Sequence, residues 1–411
     1  MSDVASLRVD GDRFWDTVMR SAAIGPGVAG GLSRLALTDA DRDVRRLFGA
    51  LVDEAGLTLT VDKLGNMFAR YEGREDLPPV VAGSHLDTQV AGGRFDGIVG
   101  VMGALEAVRT LADAGVRPRR PIVVVNWSNE EGARFPPPMS ASAVFAGLQG
   151  LEWGLSRVDR DARTFGEELA RIGYAGDDKV GFPIDACFEL HIEQGPRLDA
   201  EGVPVGIVTG GAPTRGLKLE VRGEHAHAGP TPMLKRRNAL VAAARVIVAL
   251  DDIGWRHAPA GKTTSARLDV SPNLSGIISN EAALWCDMRH PEAATVEGML
   301  AEFERAVEAV ADASRCDVEV VERWCFGGDI FDDGCVALLR EAADRLGHAH
   351  LDLLSEAGHD AYNIATVAPT AMVFCPCRDG ITHNEAEHCD KATTIPAVDV
   401  LLHAVLARAD R

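Results

Sequence analysis

Two rhythms of apolar residues divide the chain. In the first half, short unbroken apolar runs alternate with stretches of helical spacing. "PPVVAGSH", "RPIVVVNWSNEEG" and "ACFELHIEQG" read as buried strands, since a strand covered on both faces shows no polar alternation. "DRDVRRLFGALVDEAG" has the helical period, and "LTLTVDKLGNMFARYEG" predicts a hairpin. "GIVGVMGALEAVRTLADAG" puts Ile98, Val101, Leu105, Val108 and Leu111 on one helical face and stops at Gly115. Strands alternating with helices in this way imply an α/β layer around a largely parallel sheet.

From about residue 212 the period shortens to two. "TRGLKLEVRGEHAHAG" and "EAALWCDMRH" alternate like half-exposed strands, the helical stretches "NALVAAARVIVALDDIG" and "TVEGMLAEFERAVEAVADAS" lie among them, and "DVEVVERW" closes the region. This mixture predicts a small α+β sheet with helices on one face only. After "FGGD" the first rhythm resumes in "CVALLREAADRLG", "PTAMVFCP" and a final helix. The expected architecture is one discontinuous α/β domain, residues 1–212 with 328–411, and a smaller α+β domain inserted at 213–327. Gly210–Gly211 and Gly327–Gly328 flank the insert and suit hinges or tight turns equally well.

Composition narrows the functional classes. The 411 residues are 46% hydrophobic and 25% charged, the make-up of an ordinary globular chain with room for more than one core. A net charge of −19 without a basic block argues against nucleic acid as a partner. "MSDVASLRVDGDRFWD" lacks the apolar segment of a secretory signal, and no uncharged apolar run approaches the ~20 residues that span a bilayer, so no membrane partner is expected. Eight cysteines are too sparse for a disulfide scaffold, which points to a cytoplasmic location. Cys375 and Cys377 in "FCPCRDG" are assigned to core packing, since no second pair has zinc-finger spacing.

The chemistry concentrates at strand ends. "VVAGSHLD", "VVVNWSNEE", "FELHIEQG" and, just past "AMVFCPC", "GITHNEAE" each carry charge or imidazole where an apolar run stops. In an open α/β sheet, ligands bind beyond the carboxyl ends of the strands, so His85, Glu130–Glu131, His191 and His383 should meet there, joined by Asp96. Imidazole nitrogen and carboxylate oxygen suit a divalent cation. A single buried histidine or acidic pair has ordinary structural uses. Two adjacent ionised glutamates at a buried strand exit are costly without a cation, and the coincidence of all these groups favours a metal site.

In order along the chain, "GSHLDTQVAGGRFDGIVGV", "NEEGARF", "ELHIEQGP", "HAHAGPTPM", "DMRHP", "AGHDA" and "GITHNEAE" resemble the dinuclear-metal amidohydrolases. These include N-carbamoyl-L-amino-acid hydrolase, allantoate amidohydrolase and the yeast-type β-ureidopropionase, within the aminoacylase and carboxypeptidase superfamily. The resemblance runs from about residue 10 to the C-terminus, and "HIEQGP" and "HAGPTPM" favour the carbamoylase branch. It implies a catalytic metal-binding domain, an inserted lid and dimerisation domain, a homodimer, and two divalent ions per subunit (zinc, or manganese, cobalt or nickel). It also implies that His85, Asp96 and His191 hold one ion, that Asp96, Glu131 and His383 hold the other, and that Asp96 bridges them. Asp87 would stand behind His85 as the carboxylate fixing its tautomer, and Glu130 would be the general base. His227 matches a histidine that helps hold the oxyanion, reaching across a dimer interface. Gln194 matches a pocket position near the metals, and Arg289 matches the arginine that grips the substrate carboxylate. His359 and Asp360 would support the metal shell.

Two departures bear on the substrate. Where the family reads "PN–x–x–N–V–I–P–G", this chain reads "PNLSGIISNE", so Gly276 replaces a pocket asparagine and Ser279 a proline. Where the family has "G–Q–R", "APTRG" leaves Thr214 in place of glutamine and keeps Arg215. Each lost amide removes a polar contact, with an effect of about 1–3 kcal/mol on the usual substrate. The expected small-molecule substrate is therefore an N-carbamoyl-L-amino acid or a bulkier N-substituted relative. Competing readings are hydrolysis of allantoate or ureidoglycolate, hydrolysis of N-acyl amino acids or dipeptides, and a metal-binding sensor, which would have no use for Glu130.

Overall fold

The computed structural model describes residues 6–328 and 330–411. Among them the strands in chain order are β1 Thr58–Val61, β2 Met67–Tyr71, β3 Val80–His85, β4 Ile122–Trp127, β5 Ala186–Ile192, β6 Val205–Arg222, β7 Ala226–His227, β8 Lys262–Ser271, β9 Ile277–Ile278, β10 Glu281–Arg289, β11 Asp317–Gly328, β12 His350–Ser355 and β13 Thr370–Cys375. The chain divides into two compact units, Met1–Gly210 with Asp329–Arg411, and Gly211–Gly328.

In the first unit the sheet runs β1-β2-β4-β3-β5-β13 and then the opening residues of β6. β4, β3, β5 and β13 are mutually parallel, whereas β1, β2 and β6 join antiparallel at the margins. Every residue of the four parallel strands is buried, which is why they read as unbroken apolar runs. Parallel strands end on the same edge. His85 is the last residue of β3 and His191 the next to last of β5, so topology alone delivers both imidazoles there.

Helix α1 spans Gly11–Ala22, α2 Asp39–Glu54 and α3 Ile98–Asp113. The central helix α3 is buried all round from Ile98 to Leu111, and it approaches β5 through small residues. A Cβ on Gly100 would come within 2.3 Å of the Leu190 carbonyl oxygen, and one on Gly103 within 2.8 Å of the Leu190 side chain. The last helix, Lys391–Ala409, is the one described helix long and apolar enough to cross a membrane. It is largely buried, carries Asp399, and packs against α3, β13 and the helix Asp333–Leu346, so its apolarity serves a protein core. All eight cysteines are free thiols.

A buried ion pair ties α2 to the strand exit that carries the glutamate pair. Arg45 Nε donates to Asp41 at 2.9 Å, and its other nitrogens donate to the Gly65 carbonyl at 2.6 Å and the Ser128 hydroxyl at 3.1 Å. Asn66 accepts from the Ser128 amide at 3.0 Å and is itself held by Asp62. Arg45→Leu removes the guanidinium and leaves Asp41 buried and uncompensated. The expected loss is about 3–5 kcal/mol of unfolding free energy, measured by urea denaturation.

In the second unit the sheet order is β8-β10-β6-β11, all antiparallel. Leu217, Leu219, Val221, Leu284 and Met288 face the helices Ala239–Arg256 and Ala293–Ser314, whose Val246, Leu250, Met299 and Phe303 complete the core. The alternate residues carry polar groups, with the Arg267 guanidinium 4.2 Å above the Trp285 ring. β7 and β9 form a separate two-stranded sheet. The architecture is thus mixed α/β, with a large sheet parallel at its core and a small second sheet.

Candidate metal and catalytic site

At the carboxyl edge of the parallel strands, two sets of three residues bring ligand atoms within 4.8 Å of one another: His85, Asp96 and His191, and Asp96, Glu131 and His383. Asp96 belongs to both. One of its oxygens lies 3.1 Å from His191 Nε2 and 3.9 Å from His85 Nε2, and the other 3.4 Å from His383 Nε2. His383 Nε2 is also 3.3 Å from Glu131. Although His191 Nε2 is close to Asp96, it is buried without a hydrogen-bond partner. A buried imidazole nitrogen left without a hydrogen bond, gathered with carboxylate oxygens within 4.8 Å, is a donor set that fits a divalent cation there.

The turns that present these groups are held by specific bonds. The buried Arg34 guanidinium donates to the Leu86 carbonyl at 2.8 Å and to Ser21 and Ile24 carbonyls at 2.9 Å, so it clamps the turn between His85 and Asp87. His85 Nδ1 bonds at 2.9 Å to the backbone carbonyl of Asp87, not to its carboxylate, which is 3.9 Å away. The Asp87 carboxylate instead accepts from the amides of Glu130 at 3.2 Å and Glu131 at 3.3 Å. This corrects the expectation from sequence: Asp87 does orient His85, but through its carbonyl, while its side chain orders the glutamate pair. Asn129 just before that pair, Gln194 after β5, and His383 all have positive φ, of 58°, 58° and 49°. Non-glycine residues in that region cluster where a side chain must be aimed against local preference.

Gln194, expected at a pocket position near the metals, lies beside Asp96. Its amide nitrogen donates to Asp96 at 3.1 Å, so in this structure it touches the shared carboxylate. Glu130 lies 3.5 Å from His85 Nε2 and belongs to neither set. Burial and the charges of Asp360, Glu131, Asp87 and Asp96 push its carboxyl well above the ordinary range. Burial acts on Asp96 in the same direction, but the imidazoles of His191 and His383 beside it hold Asp96 well below the usual carboxylate range. His191 is raised to about 9, its burial outweighed by Asp96 and Glu189.

Several supports were not legible as such in the sequence. Glu189, two residues before His191 on β5, accepts from the Ser84 hydroxyl at 2.6 Å and the Ala361 amide at 3.1 Å. Alternation was the available signal, since residues two apart on a strand share a face. Glu189, His191 and His359 form a third close set, yet both Glu189 oxygens are bonded and His359 Nε2 is 2.9 Å from the Ser355 hydroxyl. Asp360 bonds the Ser142 hydroxyl, and its second oxygen is buried with no hydrogen-bond partner.

The remaining sequence-predicted residues lie in the second unit. Thr214 and Arg289 are directly opposed on β6 and β10. The Thr214 hydroxyl is spent on the Ala212 carbonyl at 3.1 Å, Arg215 bonds Glu297, and Arg289 bonds Asp287 at 3.1 Å with its guanidinium 5.6 Å from the Phe326 ring. Gly276 has φ +88° with open space where a Cβ would go. It precedes β9, which pairs with β7 and its exposed His227.

Glycine is required at the start of α3. Gly97 has φ +68°, and a Cβ there would lie 2.4 Å from His85 Nε2. Gly97→Ala should displace the imidazole and lower metal affinity at least about tenfold, read as metal content after dialysis.

A shared carboxylate between two imidazole-containing sets at the mouth of a parallel sheet, with an unclaimed acid alongside, defines a metal-binding hydrolase. The profile of peptidase family M20/M25/M40 matches residues 81–407. An N-carbamoyl-L-amino-acid amidohydrolase of Rhizobium meliloti is 45% identical over 98% of this chain and 97% of its own length. A crystal structure of an amidase of the hydantoinase/carbamoylase family from Burkholderia vietnamiensis superimposes with a TM-score of 0.94 at 48% identity, covering 99% of each chain. A ureidoglycolate hydrolase of Arabidopsis thaliana is 30% identical over 97% of this chain and 86% of its own. The chain belongs to peptidase family M20/M25/M40 and, within it, to the hydantoinase/carbamoylase family of amidases.

Proposed function

We propose that the chain hydrolyses the carbamoyl C–N bond of an N-carbamoyl-L-amino acid, or of a related and bulkier N-substituted amino acid. One observation carries the reading: Glu130 sits among the ligand candidates but is a member of neither set. Two divalent ions, one held by His85, Asp96 and His191 and the other by Asp96, Glu131 and His383, would acidify a water and polarise the scissile carbonyl. Glu130 takes a proton from the attacking water on its free carboxylate oxygen and delivers it to the departing amino nitrogen. A buried carboxylate with raised proton affinity suits both halves of that task. Asp87 holds the backbone of Glu130 and Glu131 so that base and ligand keep separate directions. The products are the free amino acid and a carbamate, which decomposes to ammonia and carbon dioxide.

The relative from Rhizobium meliloti supports the carbamoyl substrate. The departures at Thr214 and Gly276 support a substrate larger or differently polar than the usual one. By the family resemblance, His227 steadies the oxyanion, Arg289 receives the substrate carboxylate, and the protein works as a homodimer. Arg289→Lys keeps the charge but loses the planar fork, and should raise KM about 10- to 100-fold with a smaller change in kcat, measured by steady-state kinetics.

A second reading, ureidoglycolate hydrolysis, draws on the Arabidopsis relative. The test is a substrate panel on metal-reconstituted protein, scored by release of both ammonia and free amino acid. It includes N-carbamoyl-L-amino acids with small and large side chains, allantoate, ureidoglycolate, N-acetyl amino acids and dipeptides. Ammonia from the carbamoyl amino acids above all others is expected. Cleavage of only the N-acetyl or peptide substrates would overturn the reading.

A further inference from the structure

The loop that carries His383 is fastened to the loop that carries Asp96 by a second carboxylate and a hydroxyl, neither of them a member of the two ligand sets. Glu387 is 1% exposed. One of its oxygens accepts two backbone amides, from Phe95 at 2.9 Å and from Asp96 at 3.1 Å. Its other oxygen lies 2.9 Å from the Thr382 hydroxyl, which is also 3.1 Å from the Asp96 oxygen facing His383. The glutamate fills its space completely: a Cβ on Gly93 would lie 1.9 Å from the Glu387 carboxyl group, so glycine is the residue that lets the two loops close.

The consequence is geometric. Asp96 and His383 are 287 positions apart by their numbering, and each sits in an irregular segment with no ladder to fix it. Thr382 is the chain neighbour of His383 and contacts the Asp96 carboxylate directly; Glu387 holds the Asp96 amide and the same threonine. The orientation of one ligand is therefore mechanically referred to the other.

We propose that Glu387 and Thr382 act as positioning residues, a clasp that presets Asp96 and His383 as a pair and so tightens the ion held with Glu131 more than the ion held by His85 and His191. The inference rests on the metal reading above. It assigns the clasp a selective effect on one of two ions, which a merely structural role would not produce. Residues that orient metal ligands are worth about 10- to 100-fold in affinity.

The experiment titrates Mn²⁺ or Co²⁺ into metal-stripped full-length protein by calorimetry, with the visible spectrum of bound Co²⁺ as a second readout. Wild type should bind two ions. Thr382→Val, which removes only the hydroxyl, should weaken one site about tenfold and leave the other. Glu387→Ala should weaken that same site by up to about 100-fold. Glu387→Gln, which retains an acceptor oxygen for both amides, should recover most of the affinity. Should Glu387→Ala fail to fold, Thr382→Val decides alone. Wild-type affinities in Thr382→Val and Glu387→Ala, or equal weakening of both sites, would overturn the clasp while leaving the metal reading intact. A wild-type protein that binds neither ion would overturn both.

Discussion

Glu130→Gln is expected to lower kcat by about two to four orders of magnitude and to leave the metal content unchanged. The first part follows from general-base catalysis, whose removal costs about 10²–10⁴ in rate, or roughly 3–5 kcal/mol of barrier. The amide matches the carboxylate in size and can still hydrogen-bond, but it cannot take the proton of the attacking water. The second part follows from the two ligand sets, since neither includes Glu130. Steady-state kinetics together with metal analysis of the same preparation separates the roles. A fall in activity that tracks a loss of bound metal would make Glu130 a ligand. An unchanged kcat would move the base elsewhere, and the candidate is Asp360, whose charge acts on Glu130 more strongly than any other and whose second oxygen has no hydrogen-bond partner.

Stripping the metal should leave a protein whose stability falls as pH rises, and restoring the metal should reverse that slope. The edge of the sheet gathers Asp87, Asp96, Glu130, Glu189, Asp360 and Glu387, all buried. Burial, with the charge of Asp96 next, raises Glu387 from its ordinary 4.5 to about 7. Its contribution is complete below about 4.5 and is lost as pH rises through about 7. His191, raised to about 9 from 6.5, behaves likewise: what it contributes is complete below about 6.5 and gone above about 9. At about 1.4 kcal/mol per pH unit, each displacement amounts to roughly 3 kcal/mol. Glu130, Asp87 and Asp360 are displaced in the same direction. His85 and His359 oppose them, because burial lowers both, and their contribution is present above about 6.5 and lost as pH falls. The acids outnumber those two imidazoles, so the metal-free protein should be less stable at pH 9 than at pH 5.

Bound cations invert this balance. Ligands bind metal in their deprotonated form, so affinity grows with pH, and an ion present at about 1,000 times its Kd adds roughly 4 kcal/mol. Thermal unfolding at pH 5, 7 and 9, with chelator and with Zn²⁺ or Mn²⁺, reads both slopes. A metal-free protein that gains stability steadily across this range, with no response to added ion, would count against the cluster as a cation site.

The parts of the site differ in how openly the primary structure displays them. His85, Glu130–Glu131 and His191 were legible because each interrupts or ends a buried apolar run, and polarity in that context is a local signal. His383 stands eight positions beyond Cys375, the end of β13, and was found through the "GITHNEAE" resemblance as much as through its strand. β8 leaves little mark on the pattern because most of its residues are exposed, so "KTTSARLDVS" carries no clear two-residue alternation of apolar and polar residues. In the sequence Arg45 is one charge among several on an amphipathic helix, and Glu387 one acid among several in a polar loop.

By itself, the amino-acid sequence determined the order and type of most elements, the parallel character of the main sheet and the residues that converge at its edge. Those properties depend on burial patterns within a few residues and on the rule that parallel strands finish on one side. Only the tertiary structure decided which atom of Asp87 meets His85, that Gln194 leans on Asp96, and that Glu387, Thr382, Arg34 and Arg45 brace the ligand turns. Those are bonds between segments far apart along the chain, whose partners and geometry are set when the loops pack together and leave no trace in local pattern.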